Sequence, residues 1–547
     1  MKKLIKNTKL KELKKQILKN KIEVILLAII LIVAVFVRFY RINELHFFTY
    51  DQARDNLIVK RILVDHKWTL LGPQSSMRGV YLPPFYYYTL VPILWLSRLN
   101  PVGVDIYTAT IGVLTVLLIW FMIREFFGKI PSLIIGALYA TSPLVVELSH
   151  RAWNPNTQPF FILLTIFFLA RLFKTRKEIY LVLTSLVFGY AVNLHYGALC
   201  LAPLWFFAFI WSWLKLKKKK LILLAVFILF LFGAPLILFD LRHQFMLTKN
   251  VYTHFFAGER VSFSPQRFFE PMIVSIFQLF VALLSGTFLK TAEVPFEFWG
   301  KIKSVLDFDP VSIIAHKPLL VRYQWWGVGL FLGVIISLVL AYKDYFKKKV
   351  KSKVNFIVLN LLVATILISG LVSRFYIGKF YFFYYIFIFS LPFLFLGFFF
   401  WFLWQRNWLK WLAIFIFIGM FWFNLNNVLV FEESGRTIKD IKLAAKVIAG
   451  DVQAGEVFNI AANYRSPDRW DHNAVDYRYF VEAYYHQRPL DWQPEDYERA
   501  DFLYVVAEGK IDDPVNIQIM EIYKFEPKEI LKSWELPKGV VIYKLGK

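Results

Sequence analysis

Eleven long apolar stretches dominate this chain and leave few folds open to it. They run at about 22–40, 104–124, 130–148, 158–173, 178–194, 197–214, 219–239, 320–342, 354–373, 380–403 and 409–428. Crossing a bilayer core takes roughly 20 apolar residues of helix. Backbone in lipid must satisfy its own hydrogen bonds, so each stretch reads as a spanning helix. Two further apolar stretches, 83–98 and 271–289, are ambiguous. With 58% hydrophobic residues over 547 positions, the chain is neither disordered nor a string of soluble domains. A disulfide-stapled scaffold is excluded as well, because Cys200 is the only cysteine.

The net charge of +25 suggests nucleic acid until its placement is examined. Six segments are basic: 1–21, Arg124–Lys129, Arg171–Glu178, Lys215–Lys220, Lys343–Lys353 and Arg406–Lys410. Together they hold 28 Lys/Arg and four Asp/Glu, against 36 and 35 in the rest of the chain. With eleven crossings all six share one face, which the positive-inside rule makes cytoplasmic. The charge is a topology signal, and no nucleic-acid partner is expected. If either ambiguous stretch crossed alone, later basic loops would flip outward. Both therefore read as helices lying at the outer face or re-entering it. The N-terminus reads as an uncleaved anchor, since Val35-Phe36-Val37-Arg38 offers no small-residue cleavage site.

The expected product is an all-α polytopic protein of the plasma membrane, with a cytoplasmic N-terminus and a small C-terminal α/β domain outside. A basic arm, 1–21, precedes a seven-span module, 22–239, that includes a first outer loop, 41–103. A large outer loop, 240–319, separates this from a four-span module, 320–429. The tail, 430–547, alternates short apolar runs at 456–460, 502–506 and 540–543 with helix-like stretches at 436–449 and 473–486.

The residues able to do chemistry gather in the outer segments. Thr49 and Gln52 form a capping-box pattern that starts a helix, with Asp51 in its first turn. Asp55 lies four residues on, beside Arg54. An ionised carboxylate at this position can take a proton from a hydroxyl. The bland alternative is a salt-bridged surface helix. Tyr81 precedes Pro83-Pro84 and an aromatic run, either a groove wall or an interfacial belt. The second outer loop offers His150, Arg151 and Asn154 as sugar contacts, or else helix capping by Ser149 and Asn154 beside an interfacial Trp153. His195 and Tyr196 lie at another outer turn. Arg242, Arg374 and Lys379 break the positive-inside trend; a guanidinium there binds phosphate or snorkels to headgroups. The sequence holds no Gly-rich phosphate loop and no metal-spaced Cys/His set. Metal use is left undecided.

In order and in shared face, these features resemble the C superfamily of membrane glycosyltransferases. The nearest likeness is to the family-39-type transferases, with a dolichyl-phosphate-mannose-protein mannosyltransferase-like domain, and to the aminoarabinose transferases. It covers roughly 20–430 and rests on the span pattern, Asp51, the Pro83-Pro84 helix and the polar second loop. The resemblance implies a polyprenyl-phosphate sugar donor, a hydroxyl acceptor on protein, lipid or glycan, and inversion at the anomeric carbon. It makes Asp51 the general base, supported by Asp55. Arg242, and after it Arg374 and Lys379, would meet the lipid phosphate. Gln52 stands where the familiar motif has glutamate, and the second loop lacks the family's usual acid. The competing class is a lipid or glycan transporter, which would need polar residues at mid-membrane and inverted repeats; neither is found. A sensor or scaffold whose tail binds a partner is the third reading.

Overall fold

The described parts of the apolar stretches are mainly helical in the computed structural model, which describes residues 20–46, 48–75, 77, 79–256, 272, 276–277, 279–284, 325–346, 356–375, 382–431, 435–463 and 470–547. Most of the basic arm, most of the 240–319 loop and Lys379 lie outside the described residues. In chain order the membrane helices and first-loop helices are α1 (Lys21–Phe39), α2 (Tyr50–Leu63), α3 (Phe85–Leu96), α4 (Val102–Phe127), α5 (Lys129–Thr141), α6 (Pro143–Ser149), α7 (Gln158–Thr175), α8 (Ile179–Leu194), α9 (Ala202–Lys215), α10 (Lys219–Arg242) and α11 (Met246–Phe256). After the loop come α12 (Trp325–Phe346), α13 (Phe356–Ser373), α14 (Leu391–Trp404) and α15 (Lys410–Asn427).

Among the described residues, eight helices are long and apolar enough to cross a membrane, and the bent pair α5–α6 makes a ninth. The helices α8 and α14 are apolar but shorter. Helix α3 has 12 residues, a rise of about 18 Å, short of the ~30 Å hydrocarbon core. Residues 279–284, from the second ambiguous stretch, are helical and buried. Phe280 there packs edge-on against Phe331 of α12 and touches Phe395 of α14.

The 59° bend between α5 and α6 follows from Pro143, which has no N–H to give the Tyr139 carbonyl. Arg38, fully buried at the end of α1, supplies the missing donors. Its Nη1 lies 2.9 Å from the Ala140 carbonyl and its Nη2 3.5 Å from that of Tyr139. A broken span in an apolar setting is thereby satisfied by a side chain from its neighbour.

The described members of the early basic loops meet at one end of the bundle. Arg124 pairs with Glu23, Arg171 with Glu125 at 2.9 Å, and Glu178 accepts the backbone N–H groups of Lys217 and Lys218.

At the opposite end sits the tail. Its helices are α16 (Ile438–Asp451), α17 (Val475–Tyr485), α18 (Pro494–Glu498) and α19 (Met520–Phe525). Its strands β1 (Phe458–Asn463), β2 (Trp470–Asp471), β3 (Phe502–Glu508), β4 (Glu529–Glu535) and β5 (Val540–Gly546) form one sheet in the order β2-β1-β3-β5-β4. Only β1 and β3 run parallel. The three apolar runs read from the sequence became β1, β3 and β5. The edge strands β2 and β4 were not anticipated. All but one residue of β4 is exposed, so its sequence carries no buried run to read.

The tail shares its core with the first loop. Ala53 and Leu57 of α2 and Phe48 just before it pack in one cluster with Ile441, Tyr479 and Phe480. Polar contacts follow the same seam. Glu482 of α17, buried, takes Lys60 at 3.0 Å and Arg61 at 3.1 Å. Tyr479 donates to the Leu99 carbonyl at 2.6 Å. Leu99 and Arg98 both adopt positive φ, 62° and 52°, in the turn between α3 and α4. Side chains there cost roughly 1–2 kcal/mol each, so a tail tyrosine holds a strained turn of the first loop in place.

Candidate active site

Helix α2 begins where the Thr49 pattern places it, but not for the expected reason. The Thr49 hydroxyl donates to the Gln52 side chain at 3.0 Å and caps no backbone N–H. The first turn is fixed instead by charge. Arg54 reaches Asp51 through Nη1 at 2.9 Å and Asp55 through Nη2 at 2.8 Å. The two carboxylates, one turn apart, therefore share one guanidinium, and their surroundings differ. The Asp51 side chain is 38% exposed and that of Asp55 only 1%. Tyr87 of α3 also donates to Asp55, at 3.1 Å. Burial raises the Asp55 carboxyl to about 6, against the pull of Arg54.

Asp51 and Arg54 open into a cavity of about 290 Å³. Its other walls include Tyr50, Gln74, Ser75, Trp153, Asn154 and Phe383. His195 and Tyr196 complete it and also line a second cavity, of about 340 Å³. The second cavity is apolar, with Val80, Leu199, Cys200, Val251, Val372 and Phe387 in its wall. Ser75, His195 and Tyr196 thus stand at the junction of a polar chamber and an apolar groove.

Side-chain amides of the second loop build this junction. Asn154 donates to the carbonyl of Leu194, and Gln158 to those of Ala191 at 2.8 Å and His195 at 2.7 Å. Asn154 satisfies the terminal carbonyl of α8, and Gln158 adds a second donor to the Ala191 carbonyl, which also accepts the His195 N–H. Tyr196 donates to the Tyr81 carbonyl at 2.6 Å and ties the turn to the first loop. Beneath them, fully buried Asp105 at the start of α4 pairs with His46 and accepts the Ala152 N–H at 2.9 Å. That bond anchors the backbone just before Trp153 and Asn154.

Of the residues picked out in the sequence, Asp51, Arg54, Asn154, His195 and Tyr196 line the chamber, and Asp55 lies directly behind it. Tyr81 is adjacent through its backbone. His150 is buried with Nδ1 on its own helix, at 3.0 Å from the Val146 carbonyl, and Arg151 pairs with Glu147. Neither is among the residues lining the chamber. Arg242 is exposed at the end of α10, and Arg374 is half-buried between the groove residues Ser373 and Phe375. Tyr50, Gln74, Ser75, Trp153 and Phe383 are chamber residues that no motif had placed there; only Trp153 carried a hint, as an aromatic in a polar loop. Among the described residues no group of three His, Cys, Asp or Glu could hold a metal ion.

Residues 82–238 match the family model described as dolichyl-phosphate-mannose-protein mannosyltransferase. No curated protein matches the sequence. Among solved structures, the archaeal oligosaccharyltransferase AglB from Archaeoglobus fulgidus, in complex with an inhibitory peptide and a dolichol-phosphate, is 13% identical with a TM-score of 0.51. The match covers 90% of this chain and 70% of that one. An Archaeoglobus fulgidus oligosaccharyltransferase tethered with an acceptor peptide is 14% identical with a TM-score of 0.51, over 87% of this chain and 64% of that one. ArnT from Cupriavidus metallidurans bound to undecaprenyl phosphate is 13% identical with a TM-score of 0.45, over 96% and 98%. The fold is the helical polytopic one with a small α/β tail expected from the sequence, and it is shared with the archaeal oligosaccharyltransferase.

Proposed function

We propose that the chain transfers a sugar from a polyprenyl-phosphate donor to a hydroxyl acceptor at the outer membrane face. One observation carries this reading: a polar chamber with a half-exposed carboxylate opens into an apolar groove at the same end of the bundle. Such a pair of cavities suits a lipid tail joined to a sugar through a charged head. The archaeal neighbour is in complex with a dolichol-phosphate, which is such a lipid tail with its charged head.

In this reading Asp51 is the general base. Arg54 holds the carboxylate through Oδ1, and Asp51 lines the chamber. Asp51 takes the acceptor hydroxyl proton as that oxygen forms a bond to the anomeric carbon. The bond from that carbon to the phosphate oxygen breaks, and the electron pair leaves with the lipid phosphate. Attack from the opposite face inverts the anomeric centre. Asp55 and Tyr87 hold Arg54 from behind. Arg374 is the cation flanking the groove, and Lys379 and Arg242 stay candidates for the phosphate's approach path. The acceptor is a protein, lipid or glycan hydroxyl.

The test is transfer from a labelled polyprenyl-phosphate sugar to native acceptor in membranes. Asp51→Asn keeps the side chain's shape but removes the proton acceptor, and turnover should fall roughly 10²–10⁴-fold. Wild-type membranes without transfer from any such donor, or an Asp51→Asn variant at full rate, would end the proposal.

A further inference from the structure

Of the described cations, Arg54 lines the chamber and Arg374 lies between the groove residues Ser373 and Phe375, and neither is among the three residues shared by both cavities. Arg54 is paired with both Asp51 and Asp55, and Arg242 is exposed at a helix end. Yet the junction is where a lipid phosphate must sit if its tail fills the groove and its sugar the chamber. Two of the three junction residues have committed their protons. Tyr196 donates to the Tyr81 carbonyl, and Ser75 donates to the Met77 carbonyl at 3.3 Å.

His195 differs. Its Nδ1 accepts the Gly197 N–H at 3.0 Å. An imidazole nitrogen that accepts has no proton, so in the neutral ring the hydrogen is on Nε2. The ring is held there. Gln158 binds its backbone carbonyl, and Tyr384 lies against its ring with centroids 5.8 Å apart. Gly197 is needed for this approach, because a Cβ there would come within 2.9 Å of the Tyr384 carbonyl and 3.1 Å of the imidazole Nδ1.

We infer that His195 is a direct contact of the donor phosphate, acting as a neutral N–H donor through Nε2 at the junction of chamber and groove. The inference rests on the proposed donor chemistry and adds the residue and its protonation state. Burial pushes the ring down to about 4, in keeping with a neutral group at physiological pH. A fixed neutral donor stabilises the charge that develops on the departing phosphate without having to lose a proton afterwards. It also leaves Asp51 without a competing cation opposite it.

The experiment is displacement of a fluorescent polyprenyl phosphate from the purified full-length protein. The competitors are unlabelled polyprenyl phosphate and the matching polyprenol, which lacks the phosphate. Wild type should prefer the phosphate, and His195→Ala should cut that preference by roughly tenfold to a hundredfold, the range for a hydrogen bond to a charged group. Polyprenol affinity should hold, which shows that the groove is folded. His195→Gln, neutral and carrying an N–H at similar reach, should restore most of the preference. Full preference in His195→Ala, or no recovery in His195→Gln beside a true loss in Ala, overturns the inference and leaves the donor reading standing. Equal wild-type binding of both lipids also overturns it. If wild type binds neither lipid, the donor reading itself fails.

Discussion

The two ends of the helix bundle use the same residue types to different effect. At the basic-loop end, Arg124, Lys129, Arg171 and Lys174 meet Glu23 and Glu125 with a third to a half of each basic side chain exposed. At the chamber end, Asp55, Asp105 and Glu482 are almost wholly buried, and each has a fixed partner. Exposed pairs contribute about 0–1 kcal/mol and are screened by salt. Buried ones gain little net stability over an apolar core, but losing one partner costs much more. One end is built to be oriented and the other to hold a geometry.

Four tests would break or sharpen that contrast. The largest effect is expected at Asp51, where Asn should lower turnover roughly 10²–10⁴-fold while Glu23→Gln at the other end changes it less than about twofold. Transfer assays on matched amounts of membrane protein decide this. Next comes Glu482→Ala, which strands Lys60 and Arg61 against a buried seam. Asp65 and Asp491 keep one contact to each, so the loss should be roughly 2–3 kcal/mol, below the full price of a broken buried pair. Thermal unfolding should show a clear drop in Tm, and an unchanged Tm would mean that the seam does not bind the tail to α2.

The third concerns pH. Folding raises the Asp55 carboxyl from its ordinary 3.8 to about 6. A raised acid favours the folded state fully below its unfolded value, and the benefit is lost as pH rises through the folded value. Between pH 4 and pH 7 wild type should therefore lose stability relative to Asp55→Asn. Unfolding both proteins at the two pH values checks the sign, and a wild type that gains on the variant would refute the burial of Asp55. The smallest effect belongs to Thr49→Ala. A lost N-cap costs about 1 kcal/mol. Since Thr49 caps no backbone here, under roughly 0.5 kcal/mol is expected, and a full 1 kcal/mol would restore the capping role.

What could be read from the sequence divides along the same line. Apolar runs long enough to span, and basic loops between them, are local signals. So is the i, i+3 spacing that puts Arg54 against Asp51. The chamber's far wall is not local. Gln74 and Ser75 come from a loop without periodicity, and Phe383 from a segment that reads only as part of a span. His46 and Asp105 are 59 positions apart by number and meet only because α4 returns beneath the first loop. His195 was visible as a polar residue on the right face, but its tautomer depends on the Gly197 N–H and could not be read. The strand β4 was hidden because an exposed edge needs no alternating apolar run.

The seam between α2 and the tail also sets an order of events. Lys60 and Glu482 lie 422 positions apart. In a chain synthesised from its N-terminus, α2 reaches its side of the bilayer long before its partner exists. Until α17 arrives, Ala53 and Leu57 have no Phe480 to cover them, and the turn at Arg98–Leu99 has no Tyr479 to hold it. The Asp51 chamber is consequently among the last parts of the molecule to be finished. A nascent chain still threading its later spans carries the acid but not the support for the helix that presents it, so maturation of this site waits on completion of the whole polypeptide.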